Sequence, residues 1–293
     1  MCGRFVSKTD AAIERAFNVI PRQWTHDWVK YNVAPTQKVP VIRLDDGQRD
    51  GVMLRWGLVP AWAKGQPTKY STINARAETI ETAATYRGPW KRGKRCIVPA
   101  VGYYEWQEVA GGKQPYFIRL AGGEPFGFCG LWETSVGPDG GTVESCTVVT
   151  VPANPLVAQI HAKGRMPAMV TPEYCGVWLE GSSSDAREVL GPFPVELMDA
   201  YPVSTRVNPP PERQPRASRA RSVGISLART DPEPPVARHL RESAFKNCPR
   251  HPGKCNEVIA ATESARTPRR PVAGSAPSCG RWAGSTSQPS RSV

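Results

Sequence analysis

The run Tyr116-Phe117-Ile118-Arg119-Leu120, then Ala121-Gly122-Gly123, then Phe126-Gly127-Phe128-Cys129-Gly130-Leu131, indicates how this chain folds. Both apolar runs have the length and the aromatic and branched side chains of a β-strand, and the glycines between them interrupt the backbone. A third run, Cys146–Val151, follows the turn-forming segment Pro138-Asp139-Gly140-Gly141. This part of the sequence therefore predicts short strands separated by turns.

The same pattern extends towards the N-terminus, while helical signals are few. Further strands are predicted at Val39–Leu44, Val52–Trp56 and Cys96–Val98. Short helices are predicted at Ala11–Phe17, near Ala75–Thr82, near Asn154–Ile160 and within Pro172–Leu179. Many strands with few crossover helices favour an α+β fold. We expect a curled, mainly antiparallel sheet or barrel rather than a doubly wound one.

The composition changes sharply after Asn208. Residues 1–208 carry 23 basic and 20 acidic side chains, whereas residues 209–293 carry 15 and 6. The second segment is rich in Pro, Arg and Ser and almost lacks aromatic residues, so it is predicted to be disordered. We expect one domain over 2–208 and a tail over 209–293, either a lineage-specific extension or the translation of a shifted reading frame.

The eight cysteines are scattered and do not follow a disulfide framework. No apolar run has the length of a membrane span, so we expect a cytoplasmic protein without membrane contact. Cys248, His251, Cys255 and Cys279 have spacings that zinc can use, but their Pro/Ser-rich surroundings offer little support for a site. The prediction is that the protein holds no metal and no cofactor.

The chain begins Met1-Cys2-Gly3-Arg4-Phe5. A small second residue usually allows Met1 to be removed, which would leave Cys2 with a thiol and a free α-amine. Such a 1,2-aminothiol condenses with an aldehyde, first to an imine and then to a thiazolidine ring. The alternative is that Cys2 lies by chance in a frayed terminus.

Further segments combine polar and aromatic residues of the kinds that functional sites need. They are Tyr31–Pro35, Arg55–Pro60, Asn74–Thr79, Gly102–Trp106, and Ile160-His161 with Arg165-Met166-Pro167. Each also has a structural interpretation. Asn74 could cap a helix, Glu105 could lie on the solvated face of a strand, and His161 could be scaffold.

Taken together and in this order, these motifs resemble the SRAP family of abasic-site processing proteins, whose older name is SOS response-associated peptidase. The resemblance runs from Cys2 to about Asn208. It implies an enzyme of the DNA damage response that senses abasic sites in single-stranded DNA. In the family the N-terminal cysteine attacks the aldehyde of the opened sugar by lyase-like imine chemistry, and a stable thiazolidine crosslink then shields the lesion. An autocatalytic peptidase event that exposes Cys2 is also implied.

The resemblance assigns catalytic roles to Cys2, Asn74, Glu105 and His161. Cys2 supplies both nucleophiles, and Glu105 takes a proton from the amine or thiol and returns it to the departing oxygen. His161 would protonate the sugar ring oxygen or the leaving hydroxyl. Asn74 would hold the sugar or orient the terminus.

The same resemblance suggests which residues contact DNA. Arg4 and Arg76 would bind phosphates, and Trp56, Trp62 and Trp106 are candidates for stacking on bases, with core packing as the alternative for at least one of them. A basic groove could also involve the segment Lys91–Arg95, which could equally be a solvated loop. We expect a monomer, with the replication machinery as a further candidate partner.

One departure from the family affects the site. The family commonly has His followed almost at once by Asp-Arg-Met-Pro, whereas Ala162-Lys163-Gly164 separates His161 from Arg165 here. The Asp is lost and the loop is longer, so the position of His161 is open. Two other functions also stay open: an N-terminal-nucleophile peptidase or hydrolase, and a non-covalent single-stranded DNA-binding module.

Overall fold

The structure is a computed structural model, and it describes residues 2–208. The disorder predicted for 209–293 and the zinc-ligand spacing at Cys248–Cys279 lie outside the described residues. The strands are β1 (Arg4–Lys8), β2 (Val29–Val33), β3 (Lys38–Asp45), β4 (Gln48–Trp56), β5 (Asn74–Arg76), β6 (Arg95–Ala100), β7 (Gly102–Val109), β8 (Gly112–Leu120), β9 (Phe126–Val136), β10 (Thr142–Pro152), β11 (Arg165–Pro167), β12 (Met169–Val170) and β13 (Met198–Pro202). The α-helices are α1 (Ala11–Phe17), α2 (Arg87–Lys91), α3 (Pro155–Ile160), α4 (Cys175–Leu179) and α5 (Ser183–Glu188).

Five of these strands form a closed barrel. The order β10-β4-β3-β6-β9 closes on itself because β9 also pairs with β10. Neighbours in the ring are antiparallel except β4 and β10, which run parallel. Gly130 in β9 pairs with both flanking strands, and a Cβ there would lie 2.6 Å from the carbonyl oxygen of Thr147. The α+β fold class and the curled, mainly antiparallel sheet are therefore confirmed.

A second, fully antiparallel sheet has the order β13-β8-β7-β1-β2. It packs on the barrel through Phe5 of β1, whose ring makes edge contacts with Trp56 at 5.0 Å and with Phe128 at 5.5 Å. Ser7 in the same strand donates a 2.7 Å hydrogen bond to the carbonyl oxygen of Pro99. The strand that begins the chain is therefore held between two strands of its own sheet and against the barrel.

The predicted helices differ in outcome. The prediction for Ala11–Phe17 is confirmed, with Asp10 as its N-cap, and that near Asn154–Ile160 is confirmed, with Asn154 as the cap of α3. Residues Pro172–Leu179 form a short 3-10 helix followed by α4. The helix predicted near Ala75–Thr82 is wrong, because Asn74–Arg76 is a strand that pairs with β10 before a 3-10 turn.

No helix among residues 2–208 is long and apolar enough to cross a membrane.

Candidate active site

Cys2 is separated from β1 by Gly3 alone and is fully buried. The side-chain amide of Asn74 donates a 2.9 Å hydrogen bond to the carbonyl oxygen of Cys2. Asn74 does not cap a helix; it opens β5, and its own carbonyl accepts a 3.0 Å hydrogen bond from the Tyr86 hydroxyl. Burial, reinforced by the charge of Glu105, raises the pKa of the Cys2 thiol well above its usual value. The thiol is therefore held neutral rather than as a thiolate.

Glu105 comes from β7, the strand that pairs with β1. Its side chain is nearly fully buried, so the interpretation that it lies on a solvated strand face is wrong. Tyr103 and Tyr104, which precede it, are also buried. Burial raises the pKa of Glu105 to about 7. A carboxyl group with that pKa can both accept and release a proton near neutral pH.

His161 follows α3, and its Nε2 atom lies 3.8 Å from Oε2 of Glu105. The backbone N–H of Arg165 donates a 3.2 Å hydrogen bond to Nδ1 of the ring. Burial, together with the positive charges of Lys163 and Arg165, lowers the pKa of His161 to about 4. The imidazole is therefore neutral at pH 7, and because Nδ1 accepts, its proton is on Nε2, facing Glu105.

The longer loop keeps His161 beside Glu105. Residues 161–164 form a turn in which the Gly164 N–H donates a 2.8 Å hydrogen bond to the carbonyl oxygen of His161. The carbonyl oxygen of Gly164 in turn accepts a 2.9 Å hydrogen bond from Ala153. The Arg165 guanidinium then binds the carboxylate of Glu78 and the carbonyl of Thr150. The Arg165 N–H thus contacts the ring despite the missing Asp.

Replacing Gly164 with alanine is expected to destabilise this turn. Gly164 has φ of +57°, a conformation that costs other residues roughly 1–2 kcal/mol. For a domain of this size the loss corresponds to a fall in Tm of about 2–8 °C, measured by thermal unfolding. Gly191→Ala is the matched control, because a Cβ there meets no atom within 4 Å and its φ is ordinary. Equal Tm values for the two variants would contradict the interpretation.

The arginines predicted to bind phosphate are placed differently. Arg4 lines the site, but one guanidinium nitrogen already donates to Oδ1 of Asn32 at 3.1 Å and to the carbonyl oxygen of Val207 at 3.2 Å. Arg76 is exposed and lies two residues beyond Asn74 in β5, so both project from the same face of that strand. Arg4 is therefore partly structural, while Arg76 is accessible beside Asn74.

The three candidate tryptophans lie in different environments. Trp56 is fully buried, packs on Phe5 and donates to the carbonyl oxygen of Ile73 at 2.9 Å, so its proposed stacking on bases is corrected to a core role. Trp62 is 56% exposed and lies outside the cleft. Trp106 lines the cleft, and its Nε1 donates a 2.8 Å hydrogen bond to Oδ1 of Asn208.

The proposed basic groove at Lys91–Arg95 is not supported. Arg92 and Lys94 both form ion pairs with the buried carboxylate of Glu133. Arg95 is buried and donates to the carbonyl oxygens of Trp178 and Gly181. These three side chains form ion pairs or hydrogen bonds with groups of the protein, so they do not form an open basic groove for DNA.

One cleft of about 540 Å³ opens over Glu105 and His161. It is lined by Gly3, Arg4, Glu105, Trp106, Glu108, Lys113, His161, Ala162, Lys163 and Asn208. The sequence analysis missed Lys113 and Lys163; the only available signal was the extra loop that contains Lys163. Within residues 2–208, no three His, Cys, Asp or Glu side chains are grouped so that they could hold a metal ion.

The family model for SOS response associated peptidase (SRAP) matches residues 1–210. The abasic site processing protein YoqW of Bacillus subtilis is 39% identical over 225 residues, covering 73% of this chain and 97% of that relative. The abasic site processing protein HMCES of Gallus gallus is 33% identical over 251 residues, covering 71% and 74%. A crystal structure of a Bacteroides thetaiotaomicron protein aligns with a TM-score of 0.62 at 28% identity, covering 70% of this chain and 93% of that one. On the strength of the matched residues, this chain belongs to the SRAP family.

Proposed function

We propose that this protein processes abasic sites in DNA, as the names of YoqW and HMCES state for those relatives. In finer detail, we propose that it senses abasic sites in single-stranded DNA and shields them through a thiazolidine crosslink to Cys2 after removal of Met1. The domain that does this is proposed to span residues 2–208. The observation that carries the proposal is that Asn74 holds the Cys2 carbonyl while the charge of Glu105, which lies 3.8 Å from His161, acts on the Cys2 thiol.

The reaction begins at the α-amine of Cys2. Glu105 accepts a proton from the ammonium, and the amine adds to the C1′ aldehyde of the ring-opened sugar to give a carbinolamine. Glu105 returns the proton to the departing hydroxyl, so that water leaves and an imine forms. The Cys2 sulfur then adds to the imine carbon as its proton passes to nitrogen, which closes the ring. One water is lost overall.

His161 and Asn74 support this sequence without changing charge. Because the imidazole is neutral, with its proton on Nε2, His161 acts as a hydrogen-bond donor to a sugar oxygen rather than as an imidazolium acid. The Asn74 amide fixes the Cys2 carbonyl, and therefore the direction of the amine. The two residues orient the reactants while Glu105 moves the proton.

The neutral thiol argues against the peptidase alternative. A cysteine protease needs a thiolate, which proteins obtain by lowering the thiol pKa. Burial acts on Cys2 in the opposite direction. A reaction that starts at the amine, with the thiol adding second, does not require a preformed thiolate.

The proposal is tested by mixing the protein with a single-stranded oligonucleotide that carries one abasic site. A band that survives a denaturing gel is expected, with a mass equal to the protein without Met1 plus the DNA minus one water. The same oligonucleotide with a tetrahydrofuran in place of the abasic sugar has no aldehyde and should give no such band. Binding that survives only native conditions would instead favour the non-covalent module, and a covalent product retaining Met1 would refute the thiazolidine.

A further inference from the structure

The turn between α3 and β11 carries a lysine to the rim of the cleft. Ala162 and Lys163 form its exposed tip, and both line the cleft whose base holds Glu105 and His161. The turn is fixed by the Gly164-to-His161 hydrogen bond and by the contact of Arg165 with the His161 ring. Among the described residues, no carboxylate forms an ion pair with Lys163. Lys163 therefore lines the cleft with its charge not neutralised by an ion pair, and that charge acts on His161.

A second lysine reaches the same rim from another part of the fold. Lys113 lies at the start of β8, just after the β7–β8 turn, and its side chain is 63% exposed. It forms an ion pair with Glu108 across the hairpin, with an Nζ–Oε1 distance of 3.9 Å. Glu108 also lines the cleft, so it reduces the positive potential that Lys113 contributes.

The charges around the cleft favour an anion. Arg4, Lys113 and Lys163 are cationic and outnumber the two acidic groups, because Glu108 is anionic, Glu105 is only partly ionised near pH 7 and His161 is neutral. The α3 helix that precedes the turn is tied to β7 by a 2.9 Å hydrogen bond from Gln107 to the carbonyl oxygen of Gln159. The two lysines are thus held on connected elements above one reactive base.

We propose that Lys163, assisted by Lys113, binds the phosphate groups that flank the abasic nucleotide. This phosphate site rests on the proposed function. The longer His161–Arg165 loop thereby supplies a cation to the substrate cleft. The ligand class is the backbone of single-stranded DNA next to the reacting sugar.

The test measures binding of the tetrahydrofuran oligonucleotide, which cannot crosslink, over a range of salt concentrations. Loss of one phosphate contact should reduce the slope of log K against log salt by about 0.7, which corresponds to about fivefold weaker binding at 0.1 M salt. Lys163→Gln is expected to show this change, and Lys163→Arg to retain wild-type binding. Glu108→Gln should strengthen binding, because it removes the opposing charge.

Lys91→Gln is the matched control, since Lys91 is exposed on α2 and does not line the cleft. Equal losses for Lys91→Gln and Lys163→Gln, or an unchanged salt slope in Lys163→Gln, would overturn the phosphate site and leave the proposed function standing. If the unsubstituted protein binds the oligonucleotide but never crosslinks abasic DNA, the proposed crosslinking fails while the phosphate site holds.

Discussion

Replacing Cys2 with serine is expected to abolish the stable covalent band while leaving an intermediate that borohydride can trap. Serine is small enough for Met1 to be removed, so the variant keeps a free α-amine that can form the imine. Its hydroxyl closes to an oxazolidine, which reverts to aldehyde far more readily than a thiazolidine. The measurement is a denaturing gel of abasic single-stranded DNA with and without borohydride, which reduces the imine to a permanent amine link.

Two further variants make this result decisive. Cys2→Ala also keeps the amine and should give only the borohydride-dependent band, whereas Cys175→Ala should crosslink like wild type because Cys175 is buried in α4 and has no free α-amine on the same residue. A stable band of full intensity in Cys2→Ser without reductant would show that the thiol does not close the ring. Failure of borohydride to trap any product from folded Cys2→Ser would show that the amine does not attack first.

Replacing Glu105 with glutamine is expected to slow crosslinking by about 10²–10⁴-fold at pH 8, the typical contribution of a positioned acid–base group. Glutamine preserves the shape of the buried side chain but can neither take nor return a proton. The single-turnover rate with saturating abasic DNA measures the effect. The DNA affinity of the variant should not fall, since Glu105 is not a phosphate contact and the substitution removes a negative charge from the cleft. A rate within threefold of wild type would exclude Glu105 as the proton carrier.

The pH dependence separates the roles of Glu105. Burial raises its pKa to about 7, so the ionised, proton-accepting form declines below that pH. The ratio of wild-type to Glu105→Gln rates should therefore rise about tenfold for each unit by which the pH increases towards 7, and it should level off above pH 7. Titration of the α-amine affects both proteins equally and cancels in the ratio. A ratio that falls as the pH rises would mean that Glu105 acts in its protonated form.

The same substitution should make the fold more stable. In the unfolded chain Glu105 loses its proton near its ordinary pKa of 4.5, while the folded protein keeps it up to about pH 7. The free energy of unfolding of the wild type therefore falls as the pH rises from about 4.5 to 7, by up to about 3 kcal/mol. The glutamine side chain does not ionise, so the variant does not lose this stability. Denaturant unfolding at pH 5 and pH 8 measures it, and a lower stability for Glu105→Gln at pH 8 would contradict the burial argument.

The strands were predictable from the sequence where a continuous run of apolar residues is buried along its length. Val39–Leu44 and Phe126–Leu131 lie within β3 and β9 because their branched and aromatic side chains pack on both faces of a closed barrel. The Ala75–Thr82 helix was wrong for the opposite reason. Its Ala and Glu residues favour a helix locally, but pairing of Asn74–Arg76 with β10 outweighs that preference.

The candidate site was predictable in its residues more than in their arrangement. The motifs singled out Asn74, Glu105 and His161, yet only the fold brings them together with Cys2 from four different parts of the chain. Trp56 was wrongly assigned to DNA binding because the sequence does not distinguish a tryptophan that packs in the core from one that stacks on a base. Lys163 was overlooked because the position of a loop tip depends on how the loop turns, which spacing does not encode.

The pairing of β1 with both β2 and β7 has a consequence for reactivity. A chain end ordinarily samples many conformations, and an attacking group on it must lose that freedom at the moment of reaction. Here Cys2, the residue proposed to react, is separated only by Gly3 from a strand anchored on both edges, and its carbonyl is bound by Asn74. Folding has already removed this disorder, so the terminal amine should behave as a reactant at high effective molarity towards any aldehyde that enters the cleft.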